Sequence, residues 1–147
     1  MLDEFRDSME KLVPFTRLLG IKIIELSGGG ASITFPMQDN LIGNTLTSRL
    51  HGGVIATAID TAGGLVAMAH VFVQHSHLPR ETYVAHISKV ATIDLRIDYL
   101  NPGKGELFQT DAKLIRAGKR IATIQMSLKN EKDTLIAIGI GSFMVGT

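Results

Sequence analysis

The chain has no cysteine in its 147 residues, which excludes a disulfide framework, a thiolate metal site and a cysteine nucleophile. It also lacks a charge bias: 15 Lys and Arg face 14 Asp and Glu, for a formal net charge of +1. That near-balance gives no broad electrostatic footprint for nucleic acid or for an anionic membrane surface. No Gly-x-Ser-x-Gly elbow of the serine hydrolases occurs, and Ser142 sits inside a strand-like run as a structural residue. The triple glycine at 28–30 is followed by no P-loop lysine, so it reads as a hairpin turn. The opening residues MLDEFRDSME carry four acids and one arginine without an apolar core, unlike a secretory signal, and a soluble cytoplasmic location is expected. With 45% hydrophobic and 20% charged residues the chain is an ordinary globular mixture, and its length suits one domain over 1–147.

The longest apolar run, from Gly52 to Val73, is long enough to span a bilayer. Asp60 near its middle would cost roughly 2.5 to 3.5 kcal/mol on insertion scales. The remaining chain reads as strands that need a covering element, so the run is expected to be a buried helix. Leu2 to Val13 has helical spacing, with Pro14 as its stop. Ile21 to Leu26 and Ala31 to Phe35 read as two strands joined by the glycine turn. Met37 to Leu50 is polar and irregular, and Gln74 to Ser88 reads as a loop or a short helical excursion.

Period-two alternation dominates the last third. Ile93, Leu95, Ile97 and Tyr99 point to one face of a strand, and Thr92, Asp94, Arg96 and Asp98 to the other. Strands at Leu107 to Arg116, Ile121 to Lys129 and Thr134 to Val145 follow across tight connections, which predicts a four-strand antiparallel meander. An α+β fold is expected: about six antiparallel strands wrapped around one long central helix, with a short N-terminal helix. Glycines in that helix cost about 0.8 to 1 kcal/mol each relative to alanine. They make sense where strands approach its axis, on a helix buried on every side.

Between Leu50 and Pro79, Asp60 is the sole Asp, Glu, Lys or Arg. A solitary carboxylate on an enclosed helix loses hydration and needs compensating partners, a situation common at working sites. An acid that stays wet at a subunit boundary has the same signature. His51-Gly52-Gly53 opens the helix, where free amides and the positive dipole end suit an oxygen acquiring charge. A plain turn with His51 as cap has the same sequence. Gly52 and Asp60 are eight residues apart, roughly 12 Å at 1.5 Å per residue, so one helix cannot close both on one carbonyl carbon. Two such helices antiparallel across a two-fold axis can, and the enzymatic reading therefore carries a homodimer with it. His70, His75 and His77 invite a metal, but no acid or cysteine joins them, and no metal site is expected.

The runs L-H-G-G-V-I-A-T-A-I-D and T-I-D-L-R-I-D-Y-L-N-P-G, in that order, closely resemble the PaaI-like hotdog-fold acyl-CoA thioesterases, above all the YigI-type bacterial medium- and long-chain members. The resemblance covers nearly the whole chain. It implies that the Gly52 amide polarises the thioester carbonyl with His51 beside it, that Gly53 is among the substrate- or CoA-binding residues, and that Asp60 acts as general base or nucleophile. It further implies that Thr92 orients the water and that Asn44 matches a loop Asn contacting the thioester oxygen. No cofactor is implied beyond the coenzyme A of the acyl-CoA substrate. Lys104, Arg116, Lys119 and Arg120 stand at turns where they could meet its phosphates, or simply be solvated. The implied assembly is a homodimer or a dimer of dimers, with no nucleic acid and no membrane insertion. A non-catalytic hotdog module binding acyl-CoA or acyl carrier protein, and a hotdog hydratase or dehydratase, are the alternatives.

Overall fold

The computed structural model describes residues 2–146; Met1 and Thr147 of the expected 1–147 unit, and the Leu12 side chain, lie outside the described residues. Pro14 separates two helices rather than ending one: α1 spans Leu2–Leu12, and Pro14 then occupies the first turn of α2, Pro14–Leu18. Val13 between them is extended (φ −86°, ψ 108°), the conformation the following proline ring imposes. Strands β1 (Lys22–Ser27) and β2 (Gly30–Pro36) form the hairpin expected of the glycine turn, with Ser27 opposite Gly30.

The stretch expected to be irregular contains a short ribbon of β3 (Ile42–Asn44) and β4 (Arg49–Leu50), which delivers the chain to α3, Gly52–His75. Of the two readings of Gln74 to Ser88, a loop or a short helical excursion, the second is found: helix α4 spans Arg80–Ile87. Strands β5 (Ala91–Tyr99), β6 (Leu107–Ala117), β7 (Ile121–Asn130) and β8 (Leu135–Met144) complete the fold. The six long strands lie in the order β1-β2-β6-β7-β8-β5, each antiparallel to its neighbours. The sheet wraps around α3, which is the hotdog arrangement.

One expectation fails here. The last four strands are not a four-strand meander, because β5 pairs with β8 and lies at the sheet edge. The Asn101-Pro102-Gly103 segment does not turn the chain back onto β5. The Leu100 and Asn101 amides both donate to the Ile136 carbonyl (2.8 and 3.1 Å), and the Asn101 side chain donates to Leu135 O (2.8 Å). These bonds anchor the connection to the start of β8, and the chain crosses over to place β6 between β2 and β7. The irregularity between Thr92 and Asp94 also corrects the faces of β5: Thr92, expected opposite Tyr99, reaches α3 as Tyr99 does. Leu95 and Ile97 are half-buried as expected, but Ile93 and Tyr99 remain 50% and 53% exposed, and the register shifts between Thr92 and Asp94.

The inner faces of β6 and β7 are as the alternation predicts: Phe108, Ala112, Ala122, Ile124, Met126 and Leu128 are buried against α3. Phe35 and Phe108 stack across β2 and β6 at 5.2 Å. Helix α3 is long and apolar enough to cross a membrane, and here it lies against the sheet. It is not buried on every side. Ala58, Ala62, Gly63 and Ala67 meet the sheet, while Thr57, Asp60, Gly64 and Met68 form a half-buried stripe on another face.

The two adjacent glycines of α3 therefore have opposite environments. A Cβ on Gly63 would lie 2.5 Å from Phe143 Cζ, whereas one on Gly64 meets nothing within 4 Å. Overpacking costs about 1–3 kcal/mol, and replacing a helical glycine gains about 1 kcal/mol. Gly63→Ala is expected to lower the urea midpoint and Gly64→Ala to raise it.

Candidate active site

The residues singled out from the sequence assemble into two groups on one chain. At the first, Asp60 projects from the middle of α3 toward the start of β5, and Thr92 Oγ1 donates to Asp60 Oδ1 at 2.8 Å. Asp60 is half-buried rather than sealed, at the wall of a cavity of about 240 Å³. Leu65, Met68 and Val90 supply apolar wall on one side, and Met9 of α1 and Val13 of the α1–α2 link also line it. A carboxylate held by one hydroxyl in apolar surroundings keeps its second oxygen available for a proton.

The second group surrounds the N-terminus of α3. His51 is the N-cap, extended at φ −62° and ψ 137°, and its Nδ1 accepts the Gly53 amide at 2.8 Å. That bond satisfies Gly53, so Gly53 offers no free donor. The Gly52 amide has no hydrogen-bond partner among the described residues, and Gly52 is exposed. Tyr99, which the sequence reading left without a role, donates its hydroxyl to Gly52 O at 3.1 Å. Gly43 is a second missed residue: a Cβ there would sit 2.5 Å from His51 Cα, so this glycine lets the β3–β4 ribbon support the cap. Asn44 lies on the same side, where its Oδ1 accepts the Leu46 amide at 3.1 Å, leaving its NH₂ unengaged there. Asn44, His51, Gly52 and Tyr99 line a separate cavity of about 360 Å³ that shares no wall residue with the Asp60 cavity.

The four basic residues do not come together within one chain. Lys104 follows Gly103, whose carbonyl accepts the Leu50 amide at 2.9 Å, so it stands at the Gly52 end of the sheet. Arg116, Lys119 and Arg120 are exposed at the other end of β6, roughly 30 Å away at 3.3 Å per residue. The β7 residue Ile121 and Ala91 of β5 both pair with Met144 of β8, which puts this turn at the Asp60 end. The histidines also part company. His70 Nδ1 lies 3.3 Å from Gly28 O, and His75 is half-buried with Nδ1 2.9 Å from Val71 O, stacked on His86 at 4.1 Å. His75 belongs to the last turn of α3, which extends into the stretch from Gln74 that reads as a loop or a short helical excursion.

Residues 48–137 match the family model described as the thioesterase superfamily. The medium/long-chain acyl-CoA thioesterase YigI of Escherichia coli K12 is 39% identical over 134 residues, covering 91% of this chain and 86% of that protein. Its counterpart of the same name in Salmonella typhimurium is 38% identical over the same shares. A crystal structure from Shewanella oneidensis, related to the thioesterase superfamily, superposes with a TM-score of 0.91 at 39% identity, over 99% of this chain and 95% of that one. The chain belongs to the thioesterase superfamily and is a thioester hydrolase by class.

The Asp60 cavity is closed on one side by α1, and one ion pair pins that helix. Glu10 accepts from Lys22 Nζ at 2.8 Å and from the Ile23 amide at 3.0 Å. The Lys22 hydrogen bond, then the Ile23 amide, hold its carboxyl below the ordinary value. A depressed folded value stabilises above the unfolded value and is lost as pH falls through the folded one. Glu10→Gln is thus expected to lower the denaturant midpoint at neutral pH. The gap to the parent protein should close on acidification through the carboxylate range, measured by urea titrations at a series of pH values.

Proposed function

We propose that the chain hydrolyses medium- to long-chain acyl-CoA to free fatty acid and CoA, as a cytoplasmic homodimer in which Asp60 of one subunit works with the Gly52 amide of the other. The observation that carries this reading is that the two groups are tied to opposite ends of one edge strand. Thr92 at the start of β5 holds Asp60, and Tyr99 at its end holds Gly52. An edge strand presents unpaired N–H and C=O groups, a template for an identical strand. Antiparallel pairing of two β5 strands about a two-fold axis lays the Thr92 end of each beside the Tyr99 end of the other. The half-buried face of α3 that carries Thr57 and Asp60 then turns toward its counterpart. The same axis carries Lys104 of one subunit toward the Arg116–Arg120 turn of the other, where the CoA phosphates would be met by both.

In this site Asp60 removes a proton from water that Thr92 helps to orient. The water oxygen bonds to the thioester carbon, and the carbonyl oxygen takes up charge against the Gly52 amide. Collapse breaks the C–S bond, and the proton held on Asp60 passes to the departing CoA sulfur. Occupation of Asp60 Oδ1 by Thr92 favours the base role over direct attack, since Oδ2 is left to take the proton. The close identity to proteins named medium/long-chain acyl-CoA thioesterases supports the substrate class. Asp60, which a binding module for acyl groups would not need, argues for hydrolysis over passive binding.

Two variants and their mixture test this reading. Asp60→Asn is expected to reduce thiol release from acyl-CoA at least about a hundredfold with the fold intact. Gly52→Pro removes the amide hydrogen at a first-turn position where proline fits, after a residue already at pre-proline angles. A Cβ there makes an ordinary 3.6 Å contact with Tyr99. The loss expected from one oxyanion donor is on the order of 10²–10³ in kcat. Co-refolding the two variants in equal amounts should restore about a quarter of the parent activity, since each mixed dimer has one site with both groups. No recovery on mixing would refute the shared site.

A further inference from the structure

We propose that the acyl chain of the substrate runs from Asp60 along α3, past Met9 and Met68, into the apolar cleft between α1 and α4, so that these two helices set the chain length the enzyme accepts. This inference rests on the thioesterase reading above and assigns the path of the chain within it. The Asp60 cavity, at about 240 Å³, is below the roughly 300–1,000 Å³ of ordinary ligand pockets. It follows α3 as far as Met68, about 12 Å from Asp60 by helix rise. A second cleft of about 540 Å³ lies beyond, walled by Phe5, Phe72, Tyr83, Val84 and Ile87.

Three observations join the two spaces. Met9 lines both. Leu65, Met68 and Phe72 follow one another at helical spacing on one stripe of α3, so a chain lying along that stripe passes from the first space to the second. The side chains at the junction, Met9 and Met68, are unbranched thioethers that swing aside at small cost. Phe5 stacks on Phe72 at 4.9 Å, and Phe72 meets Tyr83 edge-on at 5.5 Å, giving the far cleft a rigid aromatic wall. Glu4, Ser8 and Arg80 are its polar lining residues. Both helices thus contribute to a continuous apolar track that begins at the one carboxylate of α3, which is why an acyl chain is the occupant.

Each methylene that enters such a track is expected to improve kcat/KM about fourfold until the track is full. The test is thiol release over saturated acyl-CoA thioesters from hexanoyl to palmitoyl. Val84→Trp fills the far cleft from a half-exposed position of α4, and should lower the palmitoyl-to-hexanoyl ratio of kcat/KM at least tenfold. Tyr83→Ala widens it and should shift the optimum to longer chains. Unchanged ratios in both variants overturn the path, as does a parent enzyme that cleaves hexanoyl-CoA but not palmitoyl-CoA. Because the readout is a ratio within one preparation, partial unfolding does not mimic it. Failure to release thiol from any acyl-CoA sinks the hydrolase reading instead. The path is then decided by palmitoyl-CoA binding, which upholds it if weaker in Val84→Trp and overturns it if equal.

Discussion

Two hydrogen bonds hold α3 to β5, and everything proposed for the site depends on their being at opposite ends of that strand. Thr92 Oγ1 reaches Asp60 at 2.8 Å, and the Tyr99 hydroxyl reaches the Gly52 carbonyl at 3.1 Å. The first orients a carboxylate, and the second fixes the helix N-terminus so that the neighbouring amide stays free. A helix alone cannot bring base and oxyanion donor within reach of one carbonyl. A strand carrying each at one end can do so by meeting its own copy, and the edge position of β5 makes that meeting available.

The helix itself is a compromise between propensity and packing. Four glycines in α3 lower its intrinsic stability, and its helicity comes from the sheet that surrounds it. Gly63 answers to Phe143, at a distance where no side chain fits, and Ala58, Ala62 and Ala67 are fully buried. A Cβ on Gly64, one residue on, meets nothing within 4 Å among the described residues, and Gly64 lines the Asp60 cavity instead. Small residues thus serve two ends on two faces: close sheet contact on one, open space beside the carboxylate on the other.

Much of this is legible in the amino-acid sequence. Asp60 stands out as the lone charge in a long apolar run, and the period-two inner faces of β6 and β7 are where alternation puts them. The place of β5 was not legible, because its alternation describes its faces and not its neighbours. Pairing with β8 is decided by the anchoring of Leu100 and Asn101 on Ile136, contacts between distant parts of the chain. Parity puts Tyr99 on the face of Leu95 and Ile97, but alternation does not show that its hydroxyl reaches the helix N-terminus. The stretch after α3 reads as a loop or a short helical excursion, and the sequence of α4 has too little amphipathic pattern to decide between them. The basic residues read as standing at two successive turns, Lys104 at one and Arg116 to Arg120 at the next, and strand β6 between them keeps the two apart.

The crossover of β5 also governs the order in which the protein can be built. Strand β5 leaves the ribosome before β6, β7 and β8, yet its one neighbour within the chain is the last of them. Until β8 emerges, a nascent chain carries an apolar helix and a strand with neither edge satisfied. Such contacts between remote segments form slowly, and exposed apolar surface in the interval favours off-pathway association. Completion of the C-terminal strand is therefore the event that closes the subunit, and a chain truncated before Leu135 would be left without the partner that β5 requires.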